Sequence, residues 1–370
     1  MKKIAKLSLV AAVAVAGFTT AQADDHGLNI KAGVKAQYFN EQKENSANDS
    51  TIGVAGGYIN VTTKAYKGLS AGAEVQFGTV LDKDDVAGNT TGAEDAEGVV
   101  LSEAYLQYVA GNTGIKIGRQ HISTPLVKNS GSRVIKDSFE AITLVNKDIK
   151  NTTLVAGYIS KFQNRTDGAG DVGDFEDVLD DGAYTVMAKT QITPELDATV
   201  QYASIKKDAG DTNVLFAEAG YKMGAAKVNA EVVSSDNAGA EGTLYGVKVA
   251  TKVGAVALTA AATSTGDTDV VRGLGNGAFP SYTKLTVGAG GLSYKANTDS
   301  YMVKASTTVG GVKVGAGYAS YNADATDNTE AEITAAYKLS ANASLVASHT
   351  VFGADSAAKS ESRLTLAYKF

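Results

Sequence analysis

The chain ends Ser362-Arg363-Leu364-Thr365-Leu366-Ala367-Tyr368-Lys369-Phe370, a run in which apolar or aromatic side chains take alternate positions and the last residue is phenylalanine. Successive side chains of an extended strand point to opposite faces, so this run has one greasy face and one polar face. The same alternation begins at Asn29 and recurs along the whole chain. Ile30/Ala32/Val34/Ala36/Tyr38, Leu69/Ala71/Ala73/Val75/Phe77, Leu196/Ala198/Val200/Tyr202, Val312/Val314/Ala316/Tyr318 and Ala331/Ile333/Ala335/Tyr337 are nearly continuous apolar faces. Opposite them stand Lys31 and Lys35, Glu74 and Gln76, Asp197, Thr199 and Gln201, Lys313, and Glu330, Glu332 and Lys338. Apolar side chains outward and charges inward describe an all-β fold, a closed antiparallel transmembrane β-barrel around a hydrated interior.

The connections alternate in length. Short turns fall at Lys67-Gly68, Gly111-Asn112, Asp148 to Asn151, Thr193-Pro194-Glu195, Met223-Gly224, Gly254, Gly310-Gly311 and Ser340 to Asn342. Longer loops fall near 40–51, 81–98, 122–137, 163–181, 206–212, 235–242, 266–298, 321–329 and 353–360. Short turns belong to the periplasmic end of such barrels and long loops to the extracellular end, which orients the chain. Eighteen strands account for this pattern. Sixteen is the alternative, because Ser138–Asn146 has two mixed faces, and Tyr282–Val287 with Gly291–Lys295 could pair as a hairpin inside a loop. Either count leaves an aqueous lumen instead of a packed core. Tyr38, Tyr202 and Tyr318 near the loops, with Tyr66, Tyr108, Tyr221, Tyr337 and Tyr368 near the turns, are placed to form the interfacial girdles, in a chain with 17 tyrosines and no tryptophan.

Residues 1–23 read as a signal peptide. Lys2, Lys3 and Lys6 make a basic start, Leu7 to Gly17 an apolar core, and Ala21-Gln22-Ala23 a small-x-small cleavage site. The mature chain is then expected to begin near Asp24 and to form one barrel over 24–370. Without the leader's three lysines the balance is 31 basic against 40 acidic residues, net −9, which argues against nucleic acid as a partner. There is no cysteine, and hence no disulfide framework or thiolate metal site. No stretch after Asp24 is long and apolar enough for a spanning helix.

A longer motif carries a family likeness. Ile117-Gly118-Arg119-Gln120-His121-Ile122-Ser123-Thr124-Pro125-Leu126 is followed by Ser132-Arg133-Val134-Ile135-Lys136-Asp137-Ser138-Phe139-Glu140-Ala141, then by Asn146-Lys147-Asp148-Ile149, Ala156-Gly157-Tyr158-Ile159 and Asn164-Arg165. Together, from about Glu103 to Arg165, these resemble the region around the third extracellular loop of OprD-family porins. The ending Leu366-Ala367-Tyr368-Lys369-Phe370 and the Met1-Lys2-Lys3 leader resemble Campylobacter-type major outer-membrane proteins. The resemblance implies eighteen strands, a third and a seventh loop folded inward to narrow the pore, and a basic ladder along one wall. It carries over most directly to Arg119 and Arg133. Arginine is scarce here and lysine predominates, which departs from the family's arginine-rich, carboxylate-drawing members and favours general diffusion.

Selectivity in a water-filled tube comes from its narrowest section and the charges that line it. The expected constriction set is Arg119, Arg133 and Lys116 facing Asp137 and Glu140, with Ser123 and Thr124 on the same loop. By alternation the lumen wall offers Lys35, Glu74, Glu103, Lys161, Lys189, Lys248 and Lys304, charges that would equally well solvate any wide bore. Asp171, Asp174, Glu176 and Asp177 give an acidic loop that could hold a hard cation such as calcium loosely, without EF-hand spacing; no other cofactor is expected. Only His26, His121 and His349 could serve a hydrolase, and Ser348 and His349 point to opposite strand faces, so no enzyme is expected. The reading is a Gram-negative outer-membrane porin for passive diffusion of small hydrophilic solutes and ions, in contact with outer-membrane lipids and lipopolysaccharide, with monomer and homotrimer both open. The alternative is a surface adhesin or structural barrel acting through its loops. A TonB-dependent transporter needs about 22 strands and a plug, too much for the 347 residues after Ala23.

Overall fold

Backbone pairing runs unbroken around the molecule. The computed structural model describes residues 27–44, 49–84, 94–178, 181–208, 210–285, 289–323, 326–353 and 358–370; the leader expected at 1–23 lies outside them. The first quarter of the wall is β1 (Leu28–Lys43), β2 (Ser50–Thr63), β3 (Leu69–Lys83), β4 (Gly98–Ala110) and β5 (Thr113–Gln120). There follow β6 (Ser138–Asn146), β7 (Thr152–Gln163), β8 (Ala183–Gln191), β9 (Leu196–Ile205) and β10 (Thr212–Met223). The rest comprises β11 (Ala226–Asn237), β12 (Ala240–Val253), β13 (Val256–Thr265), β14 (Thr298–Val309), β15 (Val312–Ala323), β16 (Thr326–Lys338), β17 (Ala343–Phe352) and β18 (Ala358–Lys369). Each strand pairs antiparallel with its chain neighbours, and β18 returns to β1 with Gly33 opposite Lys369 and Tyr38 opposite Leu364. A membrane offers no water to an unpaired N–H or C=O, so closure removes the edges that an open sheet would expose. A separate three-residue strand, Phe175–Asp177, adds to the end of β7 from within the loop that follows it.

The wall is inside-out relative to a soluble protein. Ile30, Val34, Tyr38, Val200, Tyr202, Val314, Tyr318, Ile333, Tyr337, Leu364, Leu366 and Tyr368 are exposed, whereas Gln37, Glu41, Glu74, Gln76, Gln201, Glu231, Glu330 and Thr350 are buried. Lipid supplies the apolar solvent for the first group; loops packed inside the bore cover the second. Phe77 keeps its place in the outward row but is little exposed, because its ring lies over Gly57, where a Cβ would stand 3.1 Å from it.

At the turn end, all eight expected short connections are present. Gly310 and Gly311 both have positive φ (+56° and +83°), the two-residue geometry whose twist matches the strands it joins. Two loops expected to be long are instead tight. Asn237 pairs with Ala240 across Ala238 (φ +54°) and Gly239 (φ +91°), so 235–242 is a hairpin tip. Ala323 likewise pairs with Thr326, which shortens the 321–329 connection. Strand pairing continues above the lipid, where both faces are wet and alternation stops marking it. Of the hairpin conceivable within 282–295, residues 286–288 lie outside the described residues, and Ala289–Tyr294 is a 3-10 turn instead of a strand. The wall is therefore eighteen strands, and sixteen is ruled out.

A candidate pore constriction

Two loops at the extracellular end turn into the barrel. The first, 121–137 (L3), leaves β5 and crosses to the far wall, where Leu126 donates its N–H to Gln201 Oε1 (2.9 Å) and Thr124 Oγ1 accepts from Gln201 Nε2 (2.8 Å). Leu126 is fully buried among Ala203, Val214, Phe216, Val233 and Leu244, the inward side chains of β9 to β12. L3 then returns to the β1–β3 wall. Lys35 Nζ donates to the carbonyls of Gly131 (2.9 Å) and Arg133 (2.8 Å), Gln37 Nε2 to that of Ser132 (3.0 Å), and Gln76 clasps the backbone of Lys136. Buried polar wall residues thus find their partners in the loop backbone, as the cost of leaving them unpaired requires.

The second inward segment (L7), described over 266–285 and 289–297, lies against L3. Lys128 N–H donates to Leu274 C=O, Leu274 N–H to Leu126 C=O, and Gly277 N–H to Lys128 C=O, at 3.0, 2.8 and 2.9 Å. Gly273 and Gly275 allow this approach: a Cβ on either would meet an L3 carbonyl at 2.3–2.4 Å. L7 is held to the opposite wall by Tyr282, whose hydroxyl donates to Glu218, whose N–H donates to Glu231 Oε1 (3.1 Å), and whose ring lies 3.8 Å from Lys248 Nζ. Lys304 Nζ donates to Lys284 C=O (2.9 Å) and Tyr321 Oη to Thr283 C=O (2.9 Å).

Asp137 ties the two loops together. Its carboxylate accepts the N–H of Ser130 in L3 (2.6 Å) and of Asn276 in L7 (2.8 Å), and faces Arg165 Nε at 3.9 Å. Burial pushes its carboxyl upward, opposed by these donors and by Arg165. The expectation that Asp137 lines the opening is corrected: at 0 % exposure it is the knot behind the lining.

Four of the chain's five arginines gather on the lumen side. Arg133 and Arg363 lie against the same ring, with guanidinium carbons 4.6 and 4.1 Å from the centroid of Phe39; Arg133 pairs with Glu94 and Arg363 with Glu361 (3.3 Å). Arg272 rests over Phe279, which also carries Lys284 Nζ at 4.1 Å. Burial and the charges of Arg272, Arg165 and Arg133 bring the Lys284 ammonium down to about 8, so these groups share one field. Glu94 answers part of it, yet its own burial holds its carboxyl above the ordinary range.

Arg119 and Glu140 stand elsewhere. They form a cross-strand pair, Nε to Oε2 at 3.5 Å, each about one-third exposed, on the outer face at the extracellular end. Their flanking residues Gln120, Phe139 and Ala141 are buried on the inner side, which forces Arg119 and Glu140 outward. Arg119 stacks on Phe175 at 4.1 Å. Lys161, expected in the lumen, is outside as well. A β-bulge between Glu140 and Ala141 leaves Ser160 without a partner, so that Lys161 faces Glu140 and ion-pairs with Asp177 at 3.6 Å. One extra residue reverses the face of everything beyond it.

The other expected residues lie inside. Ser123, Lys189, Lys248, Glu218 and Glu231 border a bay of about 370 Å³ beneath L3 and L7. Lys116, stacked on Tyr105 at 4.0 Å, borders a second bay with Gln107, His121 and Thr124. Lys35, Glu74, Arg133 and Lys136 border a third, of about 500 Å³. Glu103 pairs across strands with Glu74. His121 stands half-buried between these two acids; its partial burial, with Lys136 and Lys116 nearby, lowers its pKa to about 3. The acidic loop does not converge: Asp171, Asp174, Glu176 and Asp177 are exposed, and among the described residues the one group of three metal-ligating side chains is Glu74, Glu103 and His121. Sequence reasoning missed Glu94, Arg272, Lys284 and Arg363. Only Arg363 carried a signal, being on the polar side of the terminal strand.

A closed barrel that is apolar toward lipid and hydrated within, and whose bore is narrowed by two inward loops, defines a class: the outer-membrane porin, a passive diffusion channel for small hydrophilic solutes in Gram-negative bacteria. Residues 26–208, from the start of β1 through β9, match the family model described as outer membrane porin, OprD family. No curated protein matches the chain in sequence. In fold the chain is similar to OccAB4 of Acinetobacter baumannii (TM-score 0.77, 15% identity, 93% of this chain and 98% of that one). It is similar also to OpdO of Pseudomonas aeruginosa (0.74, 15%, 93% and 97%) and to P. aeruginosa OpdK, solved with vanillate (0.75, 12%, 92% and 98%). At these identities the structural likeness speaks to the fold alone.

Proposed function

We propose that the whole chain is an OprD-type porin, close to the Campylobacter-type major outer-membrane proteins and without enzymatic activity, and that solutes pass a constriction set by L3 and L7. The observation that carries the reading is the gathering of Arg133, Arg165, Arg272 and Arg363 around the junction of these loops. Their fixed charge favours small anionic and dipolar solutes over cations of the same size. In planar bilayers the purified protein is expected to give steady ohmic steps with a modest anion preference. A membrane that stays sealed would defeat the channel reading and favour a surface barrel working through its loops.

Tyr282→Phe tests the loop's part in this. A hydrogen bond to a charged acceptor contributes about 1.5–3 kcal/mol, so L7 should detach more often at this end and the open-channel current should flicker. A trace as quiet as wild type would mean that Leu285, Lys304 and Tyr321 hold L7 without it.

A further inference from the structure

Like charges directly opposite on neighbouring strands repel, and among the described residues the inner wall carries three such carboxylate pairs: Glu218 opposite Glu231, Glu74 opposite Glu103, and Glu41 opposite Glu361, the last answered by the cations of Lys43 and Arg363. The first pair is answered by L7 through the hydroxyl and N–H of Tyr282. The second has neutral donors only. Asn60 Nδ2 reaches Glu74 Oε2 (3.3 Å) and Glu103 Oε2 (3.0 Å), Ser102 Oγ reaches Glu74 Oε1 (3.2 Å), and the His121 N–H reaches Glu103 Oε1 (3.2 Å). A bulge at Ser102 brings the two acids level. Among the described residues, neither has a lysine or arginine within 4.0 Å.

The imidazole of His121 stands between them without bonding either. Its Nε2 is 3.8 Å from Glu74 Oε1 and its Nδ1 is 3.6 Å from Glu103 Oε1, and Nε2 is buried with no hydrogen-bond partner. One ligand atom from each of the three side chains lies within 4.8 Å of the others. Ligands held at about 2.0–2.2 Å around a tetrahedral zinc ion are about 3.4 Å apart, so small side-chain rotations close this set.

We propose that Glu74, Glu103 and His121 form a site for a divalent transition-metal ion of the zinc class, with its fourth position open to the lumen. A nitrogen ligand beside two carboxylates suits zinc, whereas calcium and magnesium take oxygen ligands. His121 is the first residue of L3, so the ion would clamp the root of that loop to the β3–β4 wall and add positive charge to the bore.

The test is equilibrium dialysis of the purified full-length protein against zinc chloride, with the bound metal quantified. One zinc per chain is expected, unmoved by excess calcium. His121→Ala should bind at least about tenfold more weakly, while His349→Ala, which alters a histidine bonded to Ser362 on the outer face, should bind as wild type does. Should His121→Ala lose the heat-modifiable gel shift of a folded barrel, Glu103→Gln takes its place. Zinc absent at one per chain, zinc displaced by calcium, or a folded His121 or Glu103 variant that binds undiminished would overturn the site.

Discussion

Asp137→Ala is expected to give a larger and noisier channel in a barrel that remains folded. The carboxylate holds one N–H from L3 and one from L7 and is the charge nearest Arg165. Deleting one partner of a buried ion pair costs about 3–5 kcal/mol, because the other charge stays buried and uncompensated, which exceeds the roughly 1 kcal/mol of an ordinary hydrogen bond. The loops can relieve that cost by separating, and separation widens the bore. The wall is untouched, since its strands close through their own backbone pairing. Single-channel conductance and gel mobility read the two effects apart. A conductance indistinguishable from wild type, with the gel shift retained, would show that Asp137 does not hold the narrowing in place.

Arg133→Ala and Arg119→Ala are expected to part company when reversal potentials are measured under a salt gradient. Arg133 faces the bore, where low-dielectric walls focus the field of each charge, and its loss should move the preference toward cations. Glu94 is then left with Arg165, Arg363 and Lys35, so the change has the sign of one lost positive charge. Arg119 lies outside the wall against Glu140 and Phe175, and its removal should leave the potential where it was. A shift in Arg119→Ala equal to that in Arg133→Ala would contradict the placement of the two side chains.

The difference between these arginines was partly legible. Lys116 faces the lumen, and three residues along an alternating strand is the opposite face, so the pattern that identified the barrel also directs Arg119 outward. The likeness of the 117–126 motif to a family pulled it inward. Lys161 offered no such clue, because a bulge at Ser160 reverses the face without altering the residue pattern. Loop lengths were legible only where the lipid ends: the hairpin at Ala238-Gly239 is strand above the membrane, where both sides are wet. The gathering of Arg165, Arg272 and Arg363 was invisible, since they come from three distant parts of the chain.

From the sequence alone came the barrel, its orientation and its hydrated bore, with the strand count left between eighteen and sixteen. Period-two alternation is a local property, and lipid on one side with water on the other imposes it strand by strand. The tertiary structure alone decided how the bore is narrowed. Inside the lumen a loop has no periodic environment to match, and its course is set by single long-range bonds such as that from Asn276 to Asp137, 139 residues away. Which charges meet at the constriction depends on those bonds and on β-bulges such as those at Ser102 and Ser160, and neither leaves a repeating trace in the order of residues.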